Sequence, residues 1–138
     1  MIHLSVVCCG RAVPFLWRVL ERVCATVAFK QYQPLLRKAR WLLRQHEDVM
    51  ILADRGFANH ELMGWLQVSR WHYCLRLPCD VLLHGPSKYP TVVRALYPPL
   101  GAARLYRQVR LWADGTYRCN LVLATEPGSQ GIVGCRHR

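Results

Sequence analysis

Apolar and polar positions change period several times along the chain, and each change marks an expected element. Leu4 to Cys9 is a β-rich apolar run, Gly10-Arg11 reads as a turn, and Ala12 to Trp17 is a second short run; together they predict a β-hairpin. Pro14 has no N–H to give to a ladder, which places the second strand at a sheet edge. From Gln33 to Gln45 the period lengthens to that of a helix. Leu35, Leu36, Ala39, Leu42 and Leu43 share one face, Arg37, Lys38, Arg40 and Arg44 fall on others, and Pro34 suits a first turn. The pattern predicts an amphipathic helix with a cationic outer side, either a solvated face or a contact for DNA.

An apolar run from Val49 to Ala53 then ends on Asp54, and Arg55-Gly56 breaks it before a helix-like segment. Such a run bounded by a turn signal predicts a buried strand of the parallel-sheet kind. Asp54 would sit at the carboxyl edge of that strand, where open α/β sheets place their ligands. Asp-Arg-Gly is equally an ordinary turn, in which Asp54 would cap the next segment. Asn59 is a candidate N-cap for a helix over His60 to Ser69, with Glu61 favourably placed in its first turn. Trp71, Tyr73, Leu75 and Leu77 alternate with His72, Cys74 and Arg76, which predicts a half-buried strand. Strand, helix and strand from Val49 to Leu77 form a βαβ unit, and the order to this point is β-β-α-β-α-β.

Beyond Pro78 the character shifts. Pro86, Pro90, Pro98 and Pro99 punctuate a loop-rich stretch with one short run at Thr91 to Tyr97. Arg104 to Trp112 and Tyr117 to Thr125 flank Asp114-Gly115, a strong hairpin signal. On these strands Arg104, Arg107, Arg110 and Arg118 interleave with Tyr106, Trp112 and Tyr117, a mixture that can hold nucleic acid through phosphates and stacking but is also common on exposed sheets. After Pro127 no period is visible, and the tail reads as irregular.

Composition sharpens the reading. The 138 residues suit one domain, and 52% hydrophobic residues predict a folded chain rather than a disordered one. With 19 Lys and Arg against 8 Asp and Glu, the net charge of +11 asks for a solvated surface or an acidic partner, of which nucleic acid is the usual one. The cations are nearly all arginine, which favours bidentate phosphate contacts. Seven cysteines include no Cys-x-x-Cys pair, so their spacing speaks against zinc; Cys135 and His137 make a single half-pair. An odd count fits reduced cytoplasmic thiols packed as small hydrophobes. The first 17 residues lack the basic start and long apolar core of a leader, and no apolar run is long enough to span a membrane.

Three words carry a resemblance: Leu-Ser-Val-Val-Cys-Cys-Gly-Arg-Ala-Val-Pro-Phe-Leu-Trp-Arg-Val-Leu at residues 4–20, Leu-Ala-Asp-Arg-Gly-Phe at 52–57, and Trp-His-Tyr-Cys-Leu-Arg-Leu at 71–77. They resemble bacterial insertion-sequence transposases of the type-4 group in the DDE superfamily, over about Leu4 to Pro127. The resemblance implies an α/β fold, a partial ribonuclease-H-like mixed sheet with helices, followed by a β-hairpin-rich insertion. It divides the chain into a core over 1–85 whose first strand is absent, an insertion over 86–126 and an irregular tail over 127–138. It makes Asp54 the second of three catalytic and metal-binding acids that together hold two Mg²⁺ ions for an in-line phosphodiester displacement. Partners implied are DNA at transposon ends, with a homo-oligomer or a full-length transposase as a further one, and no membrane.

The departures weigh as much. No acid precedes Glu21, so the family's first Asp has no counterpart, and Glu126 is followed by Pro-Gly rather than by a helix, which leaves the final Glu without one. One acid of three predicts an incompetent remnant of a DNA-transposing enzyme, with two apolar sheet edges left unpaired. A non-enzymatic basic DNA-binding protein that regulates a full-length transposase is the alternative, and a nuclease that completes its metal site by dimerisation is a third reading. For DNA contact the candidates are Arg55, Arg76, Arg107, Arg110 and Arg118. Arg55 could equally stabilise the charge on Asp54, and Arg76 on the neighbouring strand is a similar candidate or simply a solvated residue.

Overall fold

The computed structural model describes residues 1–20, 27–85, 88–115, 117–125 and 132–136, the last stretch by its backbone alone. Glu21, Glu126 and the side chains of Cys135 and His137 lie outside the described residues. The fold is mixed α/β and divides into two compact units, Met1–Glu47 and Asp48–Arg138.

In the first unit strands β1 (Ile2–Cys8) and β2 (Arg11–Arg18) form the expected antiparallel hairpin. Its register slips beside Pro14, where Ser5 pairs with Pro14 but Leu4 with Leu16, so Phe15 is the extra residue of a bulge. Helix α1 (Phe29–Leu42) packs against β2. It begins earlier than the sequence predicts, and Pro34 lies inside it rather than in the first turn. The buried stripe explains why: Phe29, Tyr32, Leu35, Leu36 and Ala39 recur at helical spacing from upstream of the proline. Burial of that stripe outweighs the one backbone hydrogen bond that Pro34 cannot donate. Arg37, Lys38, Arg40 and Arg44 lie exposed, as the cationic outer side requires.

The second unit opens with β3 (Met50–Ala53), helix α2 (His60–Val68) and β4 (His72–Leu75). The strands pair in parallel, Met50 opposite His72 through Ala53 opposite Leu75, as a βαβ unit demands. The start of α2 falls where its cap chemistry puts it: the Asn59 side chain accepts a hydrogen bond from the Leu62 N–H at 2.8 Å. Leu62, Met63 and Leu66 of α2 and the alternating Trp71, Tyr73, Leu75 and Leu77 are all buried. The expectation of a buried β3 is overturned. Met50 is 43% and Leu52 62% exposed, and Ile51 and Ala53 are half-buried. Among the described residues the strand pairs with β4 alone, and the side chains of Met50 and Leu52 stand on an exposed face instead of under a covering layer.

The rest of the unit is a five-stranded antiparallel sheet in the order β6-β5-β7-β8-β9, with β5 (Leu82–His84), β6 (Thr91–Val92), β7 (Ala103–Leu111), β8 (Tyr117–Ala124) and β9 (Ile132–Arg136). The β7–β8 hairpin stands where Asp114-Gly115 predicts it. Two differences follow from the sheet. Strand β5 joins it through Leu83 opposite Leu111, so pairing crosses the expected boundary at residues 85 and 86. Strand β9 pairs with β8, from Asn120 opposite Arg136 to Ala124 opposite Ile132, within the tail read as irregular. An added edge strand needs only backbone partners, which leave no mark on side-chain period. The hairpin, the parallel pair and the five-stranded sheet are separate sheets rather than one mixed sheet.

The core of this unit lies between α2 and the sheet, since α2 packs on both β4 and β8. Gly64 permits the approach on the β8 side, for a Cβ there would stand 3.1 Å from the Tyr117 hydroxyl oxygen.

Candidate nucleic-acid interface

At the carboxyl edge of β3 and β4 the chain leaves both strands side by side, with the Arg76 N–H donating to the Ala53 carbonyl at 3.0 Å. That ladder step brings Asp54 and Arg76 together. Asp54 adopts extended backbone and caps the short 3₁₀ turn Arg55–Phe57, its Oδ1 accepting from the Arg55 N–H at 2.8 Å. The same oxygen lies 3.5 Å from Arg76 Nη1, and both side chains are more than half exposed. Arg76 therefore faces Asp54, and Arg55 reaches it by its backbone, leaving an exposed guanidinium. Burial pushes the pKa of the Tyr97 phenol above its ordinary value; Cys79 adds to the rise and the positive charge of Arg76 opposes it.

These residues do not fit a two-Mg²⁺ centre. Magnesium needs carboxylates from separate elements meeting at one point, and Asp54 meets a guanidinium there instead. Among the described residues no three His, Cys, Asp or Glu side chains gather as a metal-holding group. Asp54→Asn is accordingly expected to change stability by less than about 1 kcal/mol, the scale of an exposed ion pair. Millimolar Mg²⁺ is expected to leave the thermal melt of either form in place. A melt raised by Mg²⁺ in the parent and not in Asp54→Asn would return the acid to a metal site.

The second cluster is built by β7 and β8. Tyr106 pairs with Leu121, yet the next pair is Val109 with Cys119, so Arg107 and Gln108 together face Asn120 alone. Gln108 takes a left-handed φ of 54°, and its N–H donates to the Asn120 side-chain oxygen at 3.1 Å. This β-bulge resets the alternation by one residue. Without it, continued pairing from Tyr106 would set Val109 opposite Arg118. With it, Val109 and Leu111 turn into the core, and Arg110 lies directly opposite Arg118 on the outer face. Both arginines are exposed, as is Arg107 in the bulge. The ion pairs of His72 with Asp48 and of Arg76 with Asp54 involve neither.

The aromatic half of the expected binding surface is otherwise engaged. Tyr106 donates its hydroxyl proton to the Leu96 carbonyl at 3.3 Å. Trp112 and Tyr117 meet edge to face with centroids 5.5 Å apart, and His60 of α2 lies 6.3 Å from each ring. These rings pack the end of the hairpin against α2 instead of standing free as platforms for bases. The cysteines also depart from expectation: Cys119 is buried and Cys74 half-buried, whereas Cys8, Cys9 and Cys79 are exposed. No protein-family model, curated protein or solved structure matches the chain. No described helix is long and apolar enough to cross a membrane.

Proposed function

We propose that this chain is a transposase-like protein that binds DNA without cutting it, gripping the phosphate backbone through the outer face of the β7–β8 hairpin. The observation that carries the reading is Arg110 opposite Arg118. Like charges directly opposite on a sheet oppose folding, and a bulge with a left-handed Gln108 is what places them so. An anion that bridges both guanidinium groups removes the repulsion, and a nucleic-acid backbone offers anions at regular intervals along a solvated edge. The net charge of +11 extends the attraction beyond the hairpin. With its aromatic rings occupied, this face reads phosphates rather than bases, so the grip is indifferent to sequence.

Strand cleavage, which the resemblance implies for a complete set of acids, finds less support: Asp54 is a turn cap beside Arg76. The test is duplex DNA binding measured between 50 mM and 500 mM salt, alongside a cleavage assay with Mg²⁺. Two phosphate contacts predict log K falling against log salt with a slope at least as steep as about −1.8. A salt-independent affinity, or none, rejects the binding surface. Mg²⁺-dependent cutting that disappears in Asp54→Asn replaces this reading with that of a nuclease.

A further inference from the structure

The tip of the β1–β2 hairpin holds two thiols. Cys8 ends β1 opposite Arg11, and Cys9 and Gly10 form the two-residue turn with φ of 50° and 74°. Positive φ at both positions defines the turn type that suits the strands' twist and is ordinarily filled by Asn-Gly or Gly-Gly. Cysteine there carries a cost of roughly 1–2 kcal/mol, because its Cβ crowds the following carbonyl. Burial does not explain its presence, since both cysteines are exposed. What the turn achieves is to swing Cys9 Sγ to 3.8 Å from Cys8 Sγ, although side chains of neighbouring strand residues point to opposite faces.

We propose that Cys8 and Cys9 form a chelating dithiol site for trivalent arsenicals and like thiophilic centres. Three arguments select this chemistry. Oxidation of the pair to a disulfide is disfavoured, because Cα atoms across a trans peptide are about 3.8 Å apart and disulfides ordinarily require about 4.4 Å or more. The thiols therefore stay available as ligands. Zinc is disfavoured by donor count: it takes four ligands, and among the described residues no third His, Cys, Asp or Glu joins the pair. A mono-organic trivalent arsenic, by contrast, is complete with two thiolates and its own carbon, and soft sulfur ligands suit it. With an arsine oxide the step balances without redox. Two As–S bonds form, the arsenic–oxygen bonding is lost, and the two thiol protons leave with the oxygen as water, arsenic remaining trivalent.

Phenylarsine oxide added to the reduced full chain tests the site by intact mass and by titration of free thiols. One adduct per chain and the loss of two titratable thiols are expected. A second dithiol such as ethanedithiol should strip the adduct, and an excess of monothiol should not. Cys8→Ser and Cys9→Ser should each weaken binding about 100-fold or more, since one-handed attachment forfeits the effective concentration of the second thiol. Cys79→Ser, at the third exposed cysteine among the described residues, should leave it unchanged. Cys9→Asn suits the left-handed position and keeps the hairpin while removing the thiol, so its loss of binding is independent of folding. Absence of the adduct, its survival in either single variant, or its release by monothiol overturns the assignment.

Discussion

Replacing Arg110 and Arg118 together by alanine is expected to weaken duplex DNA binding about sixtyfold at 0.1 M salt. Each phosphate contact contributes a slope of about −0.9 in log K against log salt, hence about eightfold at 0.1 M, and the pair multiplies. The variant's slope should be shallower by about 2 and its affinity should converge on the parent's near 1 M salt. Folding stability should move the other way. Removing two like charges that stand directly opposite relieves a repulsion of a few tenths of a kcal/mol, so the same variant should melt slightly higher. Opposite signs in the two measurements mark a surface held against its own repulsion for a ligand. A binding loss that persists unchanged at high salt, or a lowered melt, would show that the arginines support the fold instead. The cationic side of α1 is the competing surface. There Arg44 lies over the exposed Trp41 ring, 4.7 Å from its centroid, and donates to the Trp41 carbonyl. Alanine at Arg37 and Lys38 should therefore cost less than the hairpin pair; if it costs more, α1 is the DNA contact.

How much of this could be read from the residues divides along physical lines. The cap of α2 and the alternation of β4 were legible because both are written within a few residues: Asn59 needs only the Leu62 N–H, and Trp71 to Leu77 needs only one covered face. The β7–β8 hairpin was legible through Asp114-Gly115 for the same reason. The start of α1 was not, because Ala28 offers no side-chain cap and Pro34 reads locally as a boundary. The exposure of β3 is not legible, since an apolar run tells what would be covered and not whether anything covers it. The decisive feature of the proposed interface was hidden too. Sequence alone presents Arg110 and Arg118 as separate cations, yet what makes them a pair is the bulge, and position 108 holds a glutamine, with no glycine to announce a left-handed residue. The remaining trace was the interval from Tyr106 to Val109, which breaks strict alternation. Asp54 does stand at a strand end, directly after β3. Whether that end is a metal site or a turn cap depends on which side chains arrive from elsewhere, and here Arg76 arrives from β4.

Leu121→Ala should be among the most damaging single truncations in the unit spanning Asp48–Arg138, costing about 2–5 kcal/mol. Leu121 is fully buried on β8, a strand paired on both sides, with Tyr106 on β7 and Cys135 on β9 as its register partners. Interior strands allow little relaxation, so the vacated volume remains as a cavity and the upper half of the range applies. A loss of that size is a large fraction of the about 5–15 kcal/mol that a domain commands, and at about 4–8 °C per kcal/mol it lowers the melt by more than about 10 °C. Val7→Ala in the β1–β2 hairpin is the matched control, because Val7 is 64% exposed and its truncation should fall within about 0.5 kcal/mol. Thermal melts followed through the tryptophans check both. Equal, small shifts for the two variants would mean that the sheet around Leu121 is not the packed core on which the arginine face is mounted, and the interface would lose its rigid support with it.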